Sequence, residues 1–460
     1  MESLGIEEVI HACGAIPFNI GNILHITGIT TDSRKLQYGE MFVALKGENF
    51  DGHDYAETAV KNGAVIVLSH QKLGADIPYL LVENTLTALH KIAKHYKNKF
   101  KIPFVAITGS SGKTTTKDMI ASVLSEKYNV LKTEGNFNNA IGLPLTLFKL
   151  EKSHEIAVIE MGMNSLGEIE VLADIVRPEV GVITNVGTAH IEKLINREGI
   201  LKAKTEMFTY FNTENTAVIN GDNDMLQNLH GKPYKIIKYG LDSQNDCRAF
   251  NIIEKGEEGI SFDVVYQGKT ECYQVYLPGI HNVYNALSAI SIAKMYGLSK
   301  NEIDKGLKNF KPSKMRMEVF KGIMNTKIIN DVYNANPDSM QAAINVLASL
   351  ETSGRRVCIL GDMFELGKYA KDGHRMVGKY AIEHNVDVIL AVGKMAKEII
   401  KGASMVGANQ FLYSFDSVSE VIDHLNELIK ANDIILIKGS RGMYMESIVE
   451  SLREGSTYKC

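Results

Sequence analysis

Residues 105–116 read VAITGSSGKTTT. A mostly apolar run rises into a Gly-Ser-Ser-Gly turn, and a Lys-Thr-Thr-Thr run opens a helical pattern. Gly109 and Gly112 let the backbone turn tightly, so that N–H groups from Gly109, Ser110, Ser111, Gly112 and Lys113 can point at phosphate oxygens. Lys113 brings a point charge for the outer phosphates, Thr114 a hydroxyl suited to Mg²⁺, and Thr115 a further donor in the first turn. The positive end of the helix adds to the attraction. The bland alternative is a glycine turn with no ligand. The Lys-Thr pair after the second glycine, in strand–loop–helix order, favours phosphate. The commonest P-loop would need glycine at 107, where this chain has Ile107. That departure, with no N-K-x-D or L-S-G-G-Q string, weighs against GTPases and transport ATPases and makes ATP the expected nucleotide.

Working outward, FVAIT (104–108) precedes a helix with Met119, Ile120, Val123 and Leu124 on one face. IAVIEMG (156–162) leads into a helical stretch at 167–176, and GVITNVG (181–187) into another at 201–211. Continuous apolar strands between amphipathic helices predict a parallel sheet covered on both faces. Residues 246–278 alternate more and predict an antiparallel addition. Two candidate metal ligands follow strands of this sheet: Glu160 in AVIEMG and His190 in TNVGTAH. Each alone reads as a solvated strand-end or loop residue; the pair, past parallel strands of one sheet, reads as ligation beside the phosphates. Lys204 lies on a helical face and by spacing alone is one of several surface lysines.

At 460 residues the chain exceeds one hydrophobic core and predicts about three domains. Apolar residues at 45% and charged residues at 23% match an ordinary globular protein. A net charge of −4 argues against nucleic acid or a membrane surface as the main partner. Cys13, Cys247, Cys272, Cys358 and Cys460 are scattered and read as free thiols of a reducing compartment. The first residues are acidic where a leader would be basic, and no apolar run approaches the length of about 20 residues that crosses a bilayer. The expectation is a cytoplasmic protein. Short β-like runs at 41–45, 64–68 and 79–82 precede a polar, Lys-rich stretch at 90–103, which places a boundary near 99. Pro312 and a basic cluster place another near 312. A second α/β unit follows, with strands at 327–331, 357–362, 387–393 and 434–440 and a helix at 339–350; its Gly-Asp, Val-Gly and Lys-Gly-Ser strand ends suggest function at that carboxyl edge too. The predicted domains are 1–98, 99–312 and 313–460.

Several strings together resemble the ATP-dependent ligases of peptidoglycan precursor synthesis, the Mur ligase family, over essentially the whole chain. The resemblance implies a small α/β UDP-sugar-binding domain, a central P-loop ATPase domain and a C-terminal Rossmann-like domain. TDSRKLQYGEMFVALKGENFDGHDY (31–55) is similar to the family's UDP-binding region, which implies Asp32, Ser33, Arg34 and His53 near the UDP-sugar. The loop matches the family's GT-x-GKT with Ser110 in place of threonine, the hydroxyl retained. EGNFNNAIGLP (134–144) resembles a segment near nucleotide and substrate, which implies Asn136, Asn138 and Asn139. Thr114, Glu160 and His190 fall on the magnesium positions, and Lys204 on a lysine carbamylated in some members, where it would be an anion for a second Mg²⁺. HNVYNA and MRME imply contacts from Asn282 and Arg316 to the nucleotide. NDVYNANPDSM (330–340) resembles the form that takes D-alanyl-D-alanine, with Asp331 toward the ATP ribose or phosphates and Tyr333, Asn334 and Asn336 around the dipeptide.

The implied reaction joins D-alanyl-D-alanine to UDP-N-acetylmuramoyl-tripeptide through an acyl phosphate, with Lys113, His190 and Lys204 in catalytic roles, in a monomer that closes about a hinge near 309–316. A base must take the proton of the amine, and the sequence assigns no residue to it. A folate-type amino-acid ligase would share the ATP site but lack the DSRK string. A P-loop kinase or regulatory ATPase would need neither outer substrate site.

Overall fold

The valine- and isoleucine-rich runs form the strands of three large sheets, beside a small antiparallel pair of Leu4–Gly5 and His25–Ile26. The computed structural model describes residues 1–407 and 411–454; Cys460 lies outside the described residues, and Cys13, Cys247, Cys272 and Cys358 are free thiols. The first sheet runs Ile16–Phe18, Tyr79–Leu81, Ile66–Ser69, Glu40–Val43, Gly28–Thr30, parallel except for the first strand. The expected runs at 41–45, 64–68 and 79–82 are among its strands; Ile16–Phe18 and Gly28–Thr30 are too short for periodicity to reveal.

The central sheet has nine strands in the order Lys269–Val275, Ile260–Tyr266, Cys247–Glu254, Lys235–Gly240, Thr216–Asn220, Val180–Ile183, Phe104–Thr108, Ile156–Glu160, Val130–Lys132. The last six and Cys247–Glu254 pair in parallel, and Cys247–Glu254, Ile260–Tyr266 and Lys269–Val275 form the expected antiparallel addition. Phe104–Thr108 stands third from one edge. The chain runs from it to the edge strand Val130–Lys132, returns to Ile156–Glu160 at its side, then crosses to Val180–Ile183 on the other. Such a switch point opens a crevice at the carboxyl ends of the strands, and the glycine loop sits there.

The helix Lys113–Leu124 is covered by His281–Met295 and Lys300–Asn309 as well as by the sheet. Its buried surface, which includes Ala121 as well as Met119, Ile120, Val123 and Leu124, is therefore broader than the single face the sequence implied. The helix expected at 201–211 is Arg197–Thr205 and then a 3₁₀ turn, Glu206–Phe208. Past it, Phe208 and Phe211 pack on Tyr234 with ring centroids 5.3 and 5.4 Å away.

The third sheet runs Glu318–Lys321, Lys327–Asn330, Ile434–Lys438, Arg356–Gly361, Val388–Val392, Phe411–Phe415. All but the first strand are parallel. Asn336 caps the helix Pro337–Ser349 by accepting from the Ser339 N–H at 2.9 Å, with proline at the first helical position. Among the described residues no helix is long and apolar enough to cross a membrane.

The Lys-rich stretch at 90–103 is not a plain connector. Most of it belongs to the helix Thr85–Lys97, whose Leu89, Ile92, Ala93 and Tyr96 are buried at helical spacing. This helix packs on Gly142–Leu147 and Glu168–Val176 of the central unit. Lys91 and Lys94 lie along its flanks, where Lys94 pairs with Asp174 at 2.7 Å, and Lys97 is buried with its ammonium over the Phe104 ring. The Tyr96 hydroxyl donates to the Leu150 carbonyl and accepts from the Glu2 N–H, both at 2.7 Å. Tyr96→Phe strands that buried carbonyl, so it should lower stability by about 1–3 kcal/mol, read as an earlier midpoint in urea unfolding.

Candidate active site

The carboxyl edges of the central and third sheets face a common cleft of about 410 Å³. One wall is the glycine loop. A side chain at Gly109 would meet Thr184 Oγ1 at 1.8 Å, and Gly112 has φ +76°, so both positions require glycine. The end of the neighbouring strand braces the loop: Asn185 Oδ1 accepts from the Ser110 and Ser111 N–H groups at 3.0 and 2.9 Å. Thr184 Oγ1 donates to the Ser111 carbonyl at 2.7 Å, and Ser110 Oγ accepts from the Gly187 N–H at 3.0 Å. The helix from Lys113 then begins with N–H groups that have no intrahelical acceptor, beside the hydroxyls of Thr114 and Thr115. Lys113 Nζ donates to the Gly109 carbonyl at 2.8 Å. Burial holds its ammonium below the usual lysine range, against the pull of Glu160, with Arg316 adding to the depression.

Glu160 ends its strand beside Ile107 and is buried. Its Oε1 accepts from Asn138 Nδ2 at 2.7 Å, while its buried Oε2 has no hydrogen-bond partner. A hard cation takes such an oxygen, so the residue fits magnesium. Thr114 is buried and lines the same cleft. His190 also lines the cleft, but its Nδ1 lies 2.6 Å from Glu365 Oε2 of the third sheet's unit. That contact holds the Glu365 carboxyl below its ordinary range. No three His, Cys, Asp or Glu residues gather into a metal site among the described residues. Lys204 is not the surface lysine that spacing alone implied: it is buried and does not line the cleft. Burial holds its ammonium well below the usual range, nearby Lys113 adds to the effect, and no carboxylate acts on it.

The opposite wall carries Arg316, Asp331, Tyr333, Asn334 and Asn336. Both Asp331 oxygens are engaged, Oδ2 by Lys438 Nζ at 2.5 Å and Oδ1 by the Met317 N–H at 3.2 Å. The Arg316 guanidinium lies 4.0 Å from the Tyr333 ring centroid. Asn336 spends its side-chain oxygen as the helix cap. The two walls are joined by Asp338, whose Oδ2 accepts from the Thr188 N–H and hydroxyl at 3.0 and 3.2 Å, and by Glu365, whose carbonyl accepts from the Glu192 N–H. The linker between them is tied as well: Ser313 Oγ donates to Asp118 Oδ2 at 2.6 Å.

Some expected residues are elsewhere. Asn138 and Asn139 line the cleft and Asn136 does not; Asn139 caps the turn into Gly142–Leu147. Asn282 is turned into the protein, donating to the Pro278 carbonyl at 2.8 Å. Asn285, one helical turn on, lines the cleft and accepts from Thr116 Oγ1 at 2.9 Å. Asp32, Ser33, Arg34 and His53 lie in the first unit, away from this cleft. The exposed Arg34 guanidinium is engaged by Asp32, which it holds down to about 2. His53 is buried, with Nδ1 2.5 Å from Asp51 Oδ1 and Nε2 accepting from the His70 N–H, so both ring nitrogens are used. Asn185, Asn285, Asp338, Glu365 and Lys438 are site-building residues that sequence reasoning did not name. The i, i+3 spacing of Asn282 and Asn285 was the one available sign for the second of them.

Three sequence families match this chain: "Mur ligase family, catalytic domain" over 25–97, "Mur ligase middle domain" over 107–293 and "Mur ligase, glutamate ligase domain" over 315–441. The chain is 37% identical over 452 residues to the UDP-N-acetylmuramoyl-tripeptide–D-alanyl-D-alanine ligase of Bacillus subtilis, covering 98% of this chain and 97% of that protein. It is 37% identical over 442 residues to the Escherichia coli enzyme of the same name, covering 95% and 96%. A crystal structure of MurF from Acinetobacter baumannii superposes with a TM-score of 0.89 at 32% identity, covering 98% of both chains. MurF from Thermotoga maritima in complex with ADP superposes with a TM-score of 0.82 at 27% identity, covering 92% and 96%.

Burial pulls the His281 imidazole, at the cleft, down to about 4 from an ordinary 6.5. The unfolded chain thus takes up this proton before the folded one does. The contribution is fully present above pH 6.5 and is lost as pH falls toward about 4. Melting temperatures measured across that window should fall less steeply for His281→Gln than for the parent.

Proposed function

This chain belongs to the Mur ligase family, and from that premise we propose that it is the ATP-dependent amide ligase that adds D-alanyl-D-alanine to UDP-N-acetylmuramoyl-tripeptide. The product is the pentapeptide precursor of peptidoglycan. The observation that carries the reading is the single cleft with a phosphate loop on one wall and the Asp331–Asn336 segment on the other. We assign UDP-sugar binding to residues 1–98, ATP to 99–312 and the dipeptide to 313–460. The enzyme acts as a cytoplasmic monomer.

A carboxylate resists attack by an amine because it is an anion with a poor leaving group. ATP removes the obstacle by phosphorylating the terminal carboxylate of the tripeptide: a bond forms from the carboxylate oxygen to the γ-phosphorus and ADP leaves. The first-turn N–H groups after Gly112 hold the phosphates, and Lys113 leaves the Gly109 carbonyl to meet the developing charge. Asn185 keeps the loop in shape during this exchange. Thr114, Glu160 and His190 would hold Mg²⁺, which when bound neutralises charge on the phosphate oxygens. The dipeptide amine, having lost a proton, then attacks the acyl carbon and inorganic phosphate departs. Tyr333 and Asn334 shape the dipeptide side. The contacts of Asp338 and Glu365 across the cleft keep water from the acyl phosphate.

Lys204 is suited to carbamylation. Burial disfavours the Lys204 ammonium and so eases loss of its proton; the free nitrogen then bonds the carbon of CO₂ and releases a proton, which leaves a carbamate anion at this buried position. ¹³C-labelled bicarbonate should give a carbamate resonance that Lys204→Arg abolishes; a parent protein without the resonance removes this assignment.

The test of the whole reading is phosphate release from ATP and Mg²⁺ with each substrate alone and with both. Release that requires both, with a product heavier by one dipeptide residue in mass spectrometry, is the expected result, and Lys113→Met should slow it about 100-fold or more. Release indifferent to both substrates would leave only a P-loop ATPase.

A further inference from the structure

Lys438 ends the strand Ile434–Lys438 in the Lys-Gly-Ser string, and the reaction as described does not use it. Its side chain is 3% exposed. Register explains its neighbours: Asn330 lies opposite Ile437 in adjacent parallel strands, so Asp331 and Lys438 emerge together at the carboxyl edge. Lys438 Nζ contacts Asp331 Oδ2 at 2.5 Å and donates to the Asn334 carbonyl at 2.8 Å. One ammonium thus closes the Asp331–Asn334 loop at both ends.

The other Asp331 oxygen reaches into the linker, where Oδ1 accepts from the Met317 N–H. Met315 and Met317 have φ of +61° and +51°, a left-handed conformation that side chains disfavour. The surroundings impose it: the Met315 carbonyl accepts from the Tyr333 N–H at 3.2 Å, and Asp331 holds the Met317 end. Between these two residues stands Arg316, turned to the cleft over Tyr333. A buried ion pair is seldom kept for stability, since apolar residues of similar volume often serve as well. Here the pair fixes a direction.

We propose that Lys438 is a positioning residue for Arg316: by orienting Asp331 and closing the Asp331–Asn334 loop, it holds the strained Met315–Met317 turn that presents the guanidinium to the nucleotide. The inference rests on the ATP-ligase reading for its consequence in turnover and on geometry alone for its consequence in nucleotide binding.

The experiment is a double-mutant cycle on ATP affinity, measured calorimetrically with Mg²⁺ and no other substrate, for the parent, Lys438→Met, Arg316→Met and the double variant. Lys438→Met should weaken binding by about 10- to 100-fold, the span of a lost charge-assisted contact. In the Arg316→Met background the same change should add little, because its target is gone. Lys438→Arg, which keeps the charge, should recover part of the affinity. Losses that multiply in the double variant, or a Lys438→Met protein that binds ATP like the parent, would overturn the proposal. Lys438→Gln replaces Lys438→Met should the latter not fold, and failure of both to fold would assign Lys438 to the core alone. A parent that binds ATP yet forms no product with both substrates defeats the ligase reading and leaves this cycle intact.

Discussion

An ammonium group withdrawn from water must be paired, neutralised, or matched by an anion that a ligand brings. Each solution occurs in this fold. Lys438 is paired with Asp331. Lys117, equally buried, lies 3.0 Å from Asp118 and donates to the Thr133 carbonyl at 2.7 Å. Lys204 has no carboxylate and is held toward its neutral form. Lys113 rests on a main-chain carbonyl, a partner weak enough to give up when phosphate arrives. The fold brings strand ends from two sheets together, so that Lys113 and Lys438 share the lining of one cleft, while Lys117 and Lys204 are buried on helices outside that lining.

The same convergence explains the division of labour. Backbone groups at the switch point of the central sheet suit an anion of fixed shape, and they come from a continuous segment. The facing wall is built from side chains on a loop and a linker, whose geometry depends on contacts distant in sequence. Asp338 and Glu365 join the walls through residues 188–192, close to the histidine assigned to the metal.

What the sequence disclosed followed the range of the interactions. The glycine loop, the strands of the central sheet and the carboxyl-edge residues were legible because strand, turn and helix there are set by neighbours within a few positions. Short strands such as Ile16–Phe18 were not, since three residues carry no period. The Lys-rich helix Thr85–Lys97 read as a polar stretch at a domain boundary because its charged residues masked the buried stripe of Leu89, Ile92, Ala93 and Tyr96. Asn282 and Asn285 share one helix, and only packing against Thr116 decides which of them meets the cleft. Lys438, Asp338 and Glu365 act across gaps of about a hundred residues or more, and no local pattern announces such partners.

The bond from Ser313 to Asp118 bears on the path Arg316 can take. Asp118 belongs to the very helix that starts at the glycine loop, so the linker is pinned to the phosphate site's own frame and not to a remote part of the sheet. Arg316 is three positions beyond the pin at Ser313, a tether of at most about 11 Å. The pin therefore seats Arg316 beside the glycine-loop helix through a link local to it, whereas Asp338 and Glu365 reach the same unit through residues 188–192.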